Sequence, residues 1–130
     1  MLMSGYDDQN TFARILRGEI PCDIVYENEH ALAFFDINPQ APVHILVVPK
    51  GSYISIQDFT QTASAAEVEG FWAAVGEAAR VDPLIDRGFR IVSNSGSDAH
   101  QEVPHFHVHI LGGRPLGPIL NKYRDVFDSN

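Results

Sequence analysis

The sequence predicts an α+β domain: a mostly antiparallel five-stranded sheet with two helices. Three observations carry this. Five short apolar or alternating runs are separated by turn-forming residues, the pattern of strands joined by tight connections. Two other segments, around Phe12 and Phe71, repeat their apolar residues at helical spacing. These helical segments are segregated from the strands, so the strands pair without βαβ crossovers.

Taken in chain order, residues 1–10 are polar and small and read as a loose tail. Asn10 or Thr11 can cap a short helix in which Phe12, Ile15 and Leu16 share a face, with Gly18 as the stop and Pro21 beyond it. A strand is expected at 24–27, a turn at Asn28-Glu29 and a second strand at 31–36. The turn set Asn38-Pro39-Gln40-Ala41-Pro42 ends that strand. A third strand follows at 43–48, closed by Pro49. Ser64-Ala65-Ala66-Glu67 fits a capping box, and Val68, Phe71, Trp72, Val75 and Ala79 then mark the main helix. Its stripe, Trp72 included, is expected in the core, and Pro83 closes the segment. Residues 89–92 read as a strand, 94–99 as a loop and 103–111 as the fifth strand. From Arg114 the chain should be irregular, with 119–126 as a candidate for order.

At 130 residues, 45% hydrophobic and 20% charged, the chain has the size and composition of one soluble globular domain. No apolar run approaches the roughly 18 residues of a membrane span. No basic segment followed by an apolar one marks the N-terminus, so a cytoplasmic location is expected. Cys22 is alone, which excludes an internal disulfide and a cysteine-based zinc cluster. The net charge of −8 argues against nucleic acid as a partner, since binding it needs a basic face. A small phosphate ligand stays open, because backbone N–H groups and protonated imidazoles can make one site locally positive.

The most informative segment is Val103-Pro104-His105-Phe106-His107-Val108-His109-Ile110-Leu111-Gly112-Gly113. Side chains alternate along a strand, so His105, His107 and His109 are expected on one face. Phe106, Val108 and Ile110 then take the other. Same-face neighbours are about 6.6 Å apart and zinc bonds imidazole at about 2.0–2.1 Å. Two of these histidines can therefore converge on a metal, with His44 or His100 as a third ligand. No carboxylate or cysteine sits beside the cluster in a usual zinc motif, and Glu102 lies across Pro104. The second chemistry is nucleophilic attack on phosphorus. A neutral imidazole attacks well and a phosphorylated one leaves well, and its neighbours stabilise oxyanions and move protons. Gly112-Gly113 would let backbone N–H groups approach a ligand closely. A hydrogen-bonded polar layer is the third possibility.

This run resembles the signature of the histidine-triad (HIT) superfamily. Ile20-Pro21-Cys22, the stretch from Phe35 through Asp36-Ile37-Asn38-Pro39-Gln40-Ala41-Pro42 to His44, Leu46-Val47-Val48-Pro49-Lys50, the stretch from Gly88 to Asn94, and Gln101-Glu102-Val103 are similar to its Hint branch. The ending from Gly112 to Pro118 is similar to bacterial Hint-type purine nucleoside phosphoramidases. The resemblance covers about residues 12–120. It implies a HIT-like fold whose homodimer forms a ten-stranded sheet. It implies hydrolysis of purine nucleoside 5′-phosphoramidates through a nucleotidyl-histidine intermediate, with no cofactor, metal or membrane. By position, His107 would be the nucleophile, His105 and His109 would bind phosphate and aid proton transfer, and His44 would orient them. Asp36 would hold the ribose hydroxyls, Ile37 the base and Asn94 the phosphate or leaving-group side, with Gln101 a further nucleotide-binding residue. Asp36 can instead cap the Asn38-Pro39 turn, and Asn94 can be a left-handed loop residue.

The chain departs from the family pattern at three places. Glu102 stands where many members carry serine, Pro104 where an aromatic is common, and Ala99-His100 where Gly-Gly is frequent. Residues 114–130 form a tail that varies within the family. Two other functions share the motif: a dinucleoside polyphosphate hydrolase, and a nucleotide-binding adaptor whose hydrolysis is incidental. The Pro39-Gln40-Ala41-Pro42 turn and the Gly112-Gly113-Arg114 ending favour the phosphoramidate reading over the polyphosphate one.

Overall fold

The computed structural model describes residues 5–124. Its elements are α1 (Thr11–Leu16), β1 (Ile24–Glu27), β2 (Ala31–Phe35), β3 (Val43–Pro49), α2 (Ile56–Thr62), α3 (Ala65–Ala78), α4 (Leu84–Arg87), β4 (Phe89–Val92) and β5 (Val108–Gly112). The five strands make one antiparallel sheet in the order β1-β2-β3-β5-β4. No helix among the described residues is long and apolar enough to cross a membrane.

Local chemistry sets the boundaries. The Asn10 side chain accepts from Ala13 N at 2.9 Å and starts α1, which Gly18 closes with a φ of +79°. Asn28 Oδ1 accepts from both His30 N and Ala31 N, making the turn between β1 and β2. Ser64 and Glu67 form the reciprocal cap of α3, with Glu67 N on Ser64 Oγ and Ser64 N on Glu67 Oε1.

The sheet has two covered faces. On one, Ala33, Ile45, Val47, Val108 and Ile110 pack with Phe71, Ala74, Val75 and Ala78 of α3. On the other, Leu32, Phe34, Leu46 and Val48 pack against Phe12 of α1. Burying one such side chain stabilises by roughly 1.5–3 kcal/mol, and β2 and β3, His44 apart, are apolar because both their faces are covered. Phe106, Val108 and Ile110 point into the α3 side. His107 and His109 therefore emerge on the α1 side, as alternation requires.

Several expectations need correction. The helical segments number four among the described residues rather than two. Asp58 accepts from Ile54 N and Ser55 N to start α2, and Leu84 buries α4 against Gly112. The main helix ends at Ala78, and Pro83 caps the start of α4. Trp72 is 39% exposed, because the buried stripe is Phe71, Ala74, Val75 and Ala78 and Trp72 lies one step round the helix from it. The histidine strand begins only at Val108. Pro104 has no N–H to give, and Phe106 N–H goes to Tyr53 O at 2.7 Å instead of a sheet neighbour. Residues 6–10 are not loose: Asp7 is bonded to Asn10, Asp8 and Asn10 are bonded to the ends of α1, and Tyr6 is bonded to His105. Residues 119–124 form no helix or strand, and the rest of the 119–126 candidate lies outside the described residues.

Candidate active site

β3 and β5 bring the histidines together. Leu46 pairs with His109 in register and His44 lies two residues from Leu46, so both imidazoles project from the same face of adjacent strands. They meet there: His44 Nε2 is 2.9 Å from His109 Nδ1. Gln40 N–H donates to His44 Nδ1 at 3.0 Å. A nitrogen that accepts from an amide bears no hydrogen, so the His44 hydrogen sits on Nε2 and points at His109 Nδ1. That leaves His109 its hydrogen on Nε2, which lines a cavity of about 410 Å³.

His107 carries the opposite tautomer. Its Nδ1 is 2.7 Å from His105 O, and a carbonyl only accepts, so Nδ1 holds the hydrogen and Nε2 keeps its lone pair. Nε2 has no protein partner among the described residues, and no fully buried polar side-chain atom there lacks one, so Nε2 is open to the cavity. The His107 and His109 rings are 5.0 Å apart at 67°. Phe12 presses edge-on against His107 at 4.8 Å, and Ser93 Oγ donates to His107 O at 2.7 Å.

His105 is different. It is 1% exposed, does not line the cavity, and uses both nitrogens: Nε2 donates to Pro49 O at 2.9 Å and Nδ1 accepts from the Tyr6 hydroxyl at 2.7 Å. Its ring cannot bind phosphate in this arrangement, so its backbone carbonyl is what serves the cluster.

Burial governs the electrostatics. It pushes His105 and His109 down to about 4, and lowers His107 and His44 as well, with Asp36 opposing it at His44. At neutral pH the cluster is uncharged, so the protonated imidazoles expected to make the site positive are absent. Among the described residues the cavity wall carries Asp36 and Glu102 and no lysine or arginine.

Asp36 does two things at once. Oδ1 caps the turn by accepting from Asn38 N at 2.8 Å, and Oδ2 lies 3.4 Å from His44 Nε2. Asp36, His44 and His109 each place one ligand atom within 4.8 Å of the others, a geometry that suits a cation. The tautomers do not, because His44 Nε2 carries a hydrogen and His109 Nδ1 receives it. A metal there would have to break both this bond and the one from Gln40.

Ile37 stands 88% exposed at the cavity wall, and Asn94 also lines it, with a negative φ rather than a left-handed one. The left-handed residue is His100, at φ +61°, whose Nε2 is 3.2 Å from Glu102 Oε2 at the cavity wall. Gln101 lies outside the wall and braces the loop. Its Nε2 donates to Ile54 O and Val103 O, and its Oε1 accepts from Gly96 N. Gly112 and Gly113 also pack elsewhere, because a Cβ on either would strike Leu84 or Pro42. Sequence reasoning missed Tyr6 and Ser93, whose partners lie 99 and 14 residues away.

The HIT domain family matches residues 17–116. An uncharacterized 13.2 kDa HIT-like protein of Azospirillum brasilense is 60% identical over 117 residues, covering 90% of this chain and 96% of its own. A purine nucleoside phosphoramidase of Escherichia coli strain K12 is 39% identical over 116 residues, covering 87% and 94%. A solved HIT family hydrolase from Clostridium thermocellum superposes with a TM-score of 0.78 at 34% identity, covering 92% of this chain and 100% of that one. The histidine cluster thus sits in a fold and a sequence matched along most of its length: the chain belongs to the HIT domain family.

Proposed function

We propose that this protein hydrolyses the P–N bond of purine nucleoside 5′-phosphoramidates in two displacements at His107. The observation that carries the reading is the His107 Nδ1–H bond to His105 O, which leaves the Nε2 lone pair facing the cavity. In the first step Nε2 attacks phosphorus, the P–N bond breaks, and the amine departs with one proton taken up from solvent. In the second, water attacks phosphorus, the P–Nε2 bond breaks and that proton returns to solvent. His109 Nε2–H donates to the phosphoryl oxygens as charge develops on them. Asp36 accepts from the ribose hydroxyls, the base lies against Ile37 and the apolar wall, and Asn94 faces the phosphate or the leaving group.

The absence of lysine and arginine from the described residues of the cavity wall favours a monoanionic phosphorus centre over a polyphosphate chain, whose several charges would meet Asp36 and Glu102 uncompensated. We assign the dimer to β4, an edge strand with Phe89 44% and Ile91 45% exposed; pairing two copies there would give ten strands. The one-domain organisation and the cytoplasmic location belong to the same reading.

The test is steady-state turnover of adenosine 5′-phosphoramidate against diadenosine polyphosphates, with mass spectrometry after a rapid alkaline quench, which spares the acid-labile P–N bond, to catch adenylyl-His107. Faster polyphosphate cleavage, or adenylylation at another residue, overturns the assignment.

A further inference from the structure

The N-terminal segment is tied down by more bonds than its composition suggests. Asn10, 6% exposed, donates from both its backbone N and its Nδ2 to Asp7 O, at 3.2 and 2.7 Å. Gln9 N donates to Asp7 Oδ1, and Arg17 Nη1 reaches back from beyond α1 to Asp8 O at 2.7 Å. This bracing holds Tyr6 edge-on against the His105 ring, with centroids 5.8 Å apart at 62°, and its hydroxyl 2.7 Å from His105 Nδ1.

We infer that Tyr6 is a positioning residue for His107, acting through His105; the inference rests on His107 being the attacking residue. Because Pro49 O holds the Nε2 hydrogen of His105, Nδ1 is a buried acceptor that the Tyr6 hydroxyl satisfies. Without that hydroxyl, the ring gains by swinging or changing tautomer to find another donor. His105 cannot move alone. Its N–H closes a tight turn onto Val103 O at 2.8 Å, and its own carbonyl is the acceptor that orients His107. Slack in the His105 ring therefore passes to the atom that selects which nitrogen of His107 keeps a lone pair. Ser93 pins the His107 carbonyl from the β4 side and Phe12 packs edge-on against both rings without a hydrogen bond, so the Tyr6 hydroxyl supplies the polar contact that fixes the His105 Nδ1 side.

The test is Tyr6→Phe, which keeps the ring and its edge contact and removes only the hydroxyl. With adenosine 5′-phosphoramidate, kcat should fall roughly tenfold, a barrier change of about 1.4 kcal/mol, the scale of losing one hydrogen bond to a buried acceptor. KM should stay within about twofold, because base and ribose contacts are elsewhere. In ¹⁵N NMR of the free protein, the His105 Nδ1 resonance should move and the His107 ring should populate both tautomers instead of Nδ1–H alone. Unchanged His107 signals overturn the inference, as does an unchanged kcat in an enzyme that turns over the substrate. If the unmutated protein does not cleave the phosphoramidate, the proposed function fails, and the ring signals still decide the role of Tyr6.

Discussion

His44 Nε2 and His109 Nδ1 are 2.9 Å apart, and the direction of the bond between them is set from outside the pair by the Gln40 amide. Two neutral imidazoles from neighbouring strands thus form a one-way relay. Its far end is an N–H at the cavity, next to the lone pair of His107. A donor and a nucleophile side by side, with no formal charge on either, suit attack on an anionic phosphorus centre.

This relay predicts indifference to metal chelators. Activity should survive exhaustive treatment with a chelator, and added zinc should inhibit, since the ion would need the lone pairs of His44 and His109. Turnover abolished by chelation and restored by zinc alone would assign Asp36, His44 and His109 to a metal instead.

His107→Ala removes the lone pair and should lower kcat by several orders of magnitude while nucleotide affinity, measured by calorimetry, changes little. A variant keeping more than about a tenth of kcat, a barrier change below roughly 1.4 kcal/mol, would exclude His107 as the nucleophile.

Asp36→Asn retains one oxygen for the Asn38 turn and loses the charge. Affinity for a purine ribonucleotide should drop by about 1–2 kcal/mol, and for its 2′-deoxy form by much less. Equal losses in calorimetric titration would leave Asp36 as a turn residue only.

Acid should destabilise the fold through the cluster. His105 and His109 are held at about 4 by burial, whereas the unfolded chain titrates near 6.5. The unfolded state then binds more protons between those values. The contribution is complete above about pH 6.5 and is lost progressively as pH falls to about 4. The melting temperature should drop by more than about 5 °C from pH 7 to pH 4.5, with NMR titration of the two rings assigning the loss. Rings that titrate near 6.5 in the folded protein contradict this.

What was legible in the sequence was local or periodic. Alternation placed Phe106, Val108 and Ile110 in the core and His107 and His109 opposite them, and side-chain caps at Asn10 and Ser64 marked real helix starts. The Ser55-x-x-Asp58 cap is the same local signal, but only Phe59 of α2 is buried, too little to show as a stripe. Trp72 was misplaced by a single residue step, about a quarter turn of helix. Among the site residues, Asp36, Ile37, Asn94, His107 and His109 meet at one cavity, with His44 behind them. Gln101 and the His105 ring do not, because Gln101 spends its amide on backbone groups and His105 spends its two nitrogens on Pro49 O and the Tyr6 hydroxyl. The Tyr6 contact spans 99 residues, and nothing in a polar N-terminal stretch announces a partner that far along the chain.

The group that aims His107 is a main-chain carbonyl, which has consequences for both evolution and rate. No single codon change deletes it, so the tautomer is inherited with the backbone path and not with any one side chain. A carbonyl also carries no net charge. In the proposed reaction, the phosphorylated imidazolium gains less from it than from a carboxylate in the same place, as in a serine-protease-type arrangement. The intermediate is accordingly kept from becoming too comfortable, and water meets a phosphorus atom whose imidazole leaves readily.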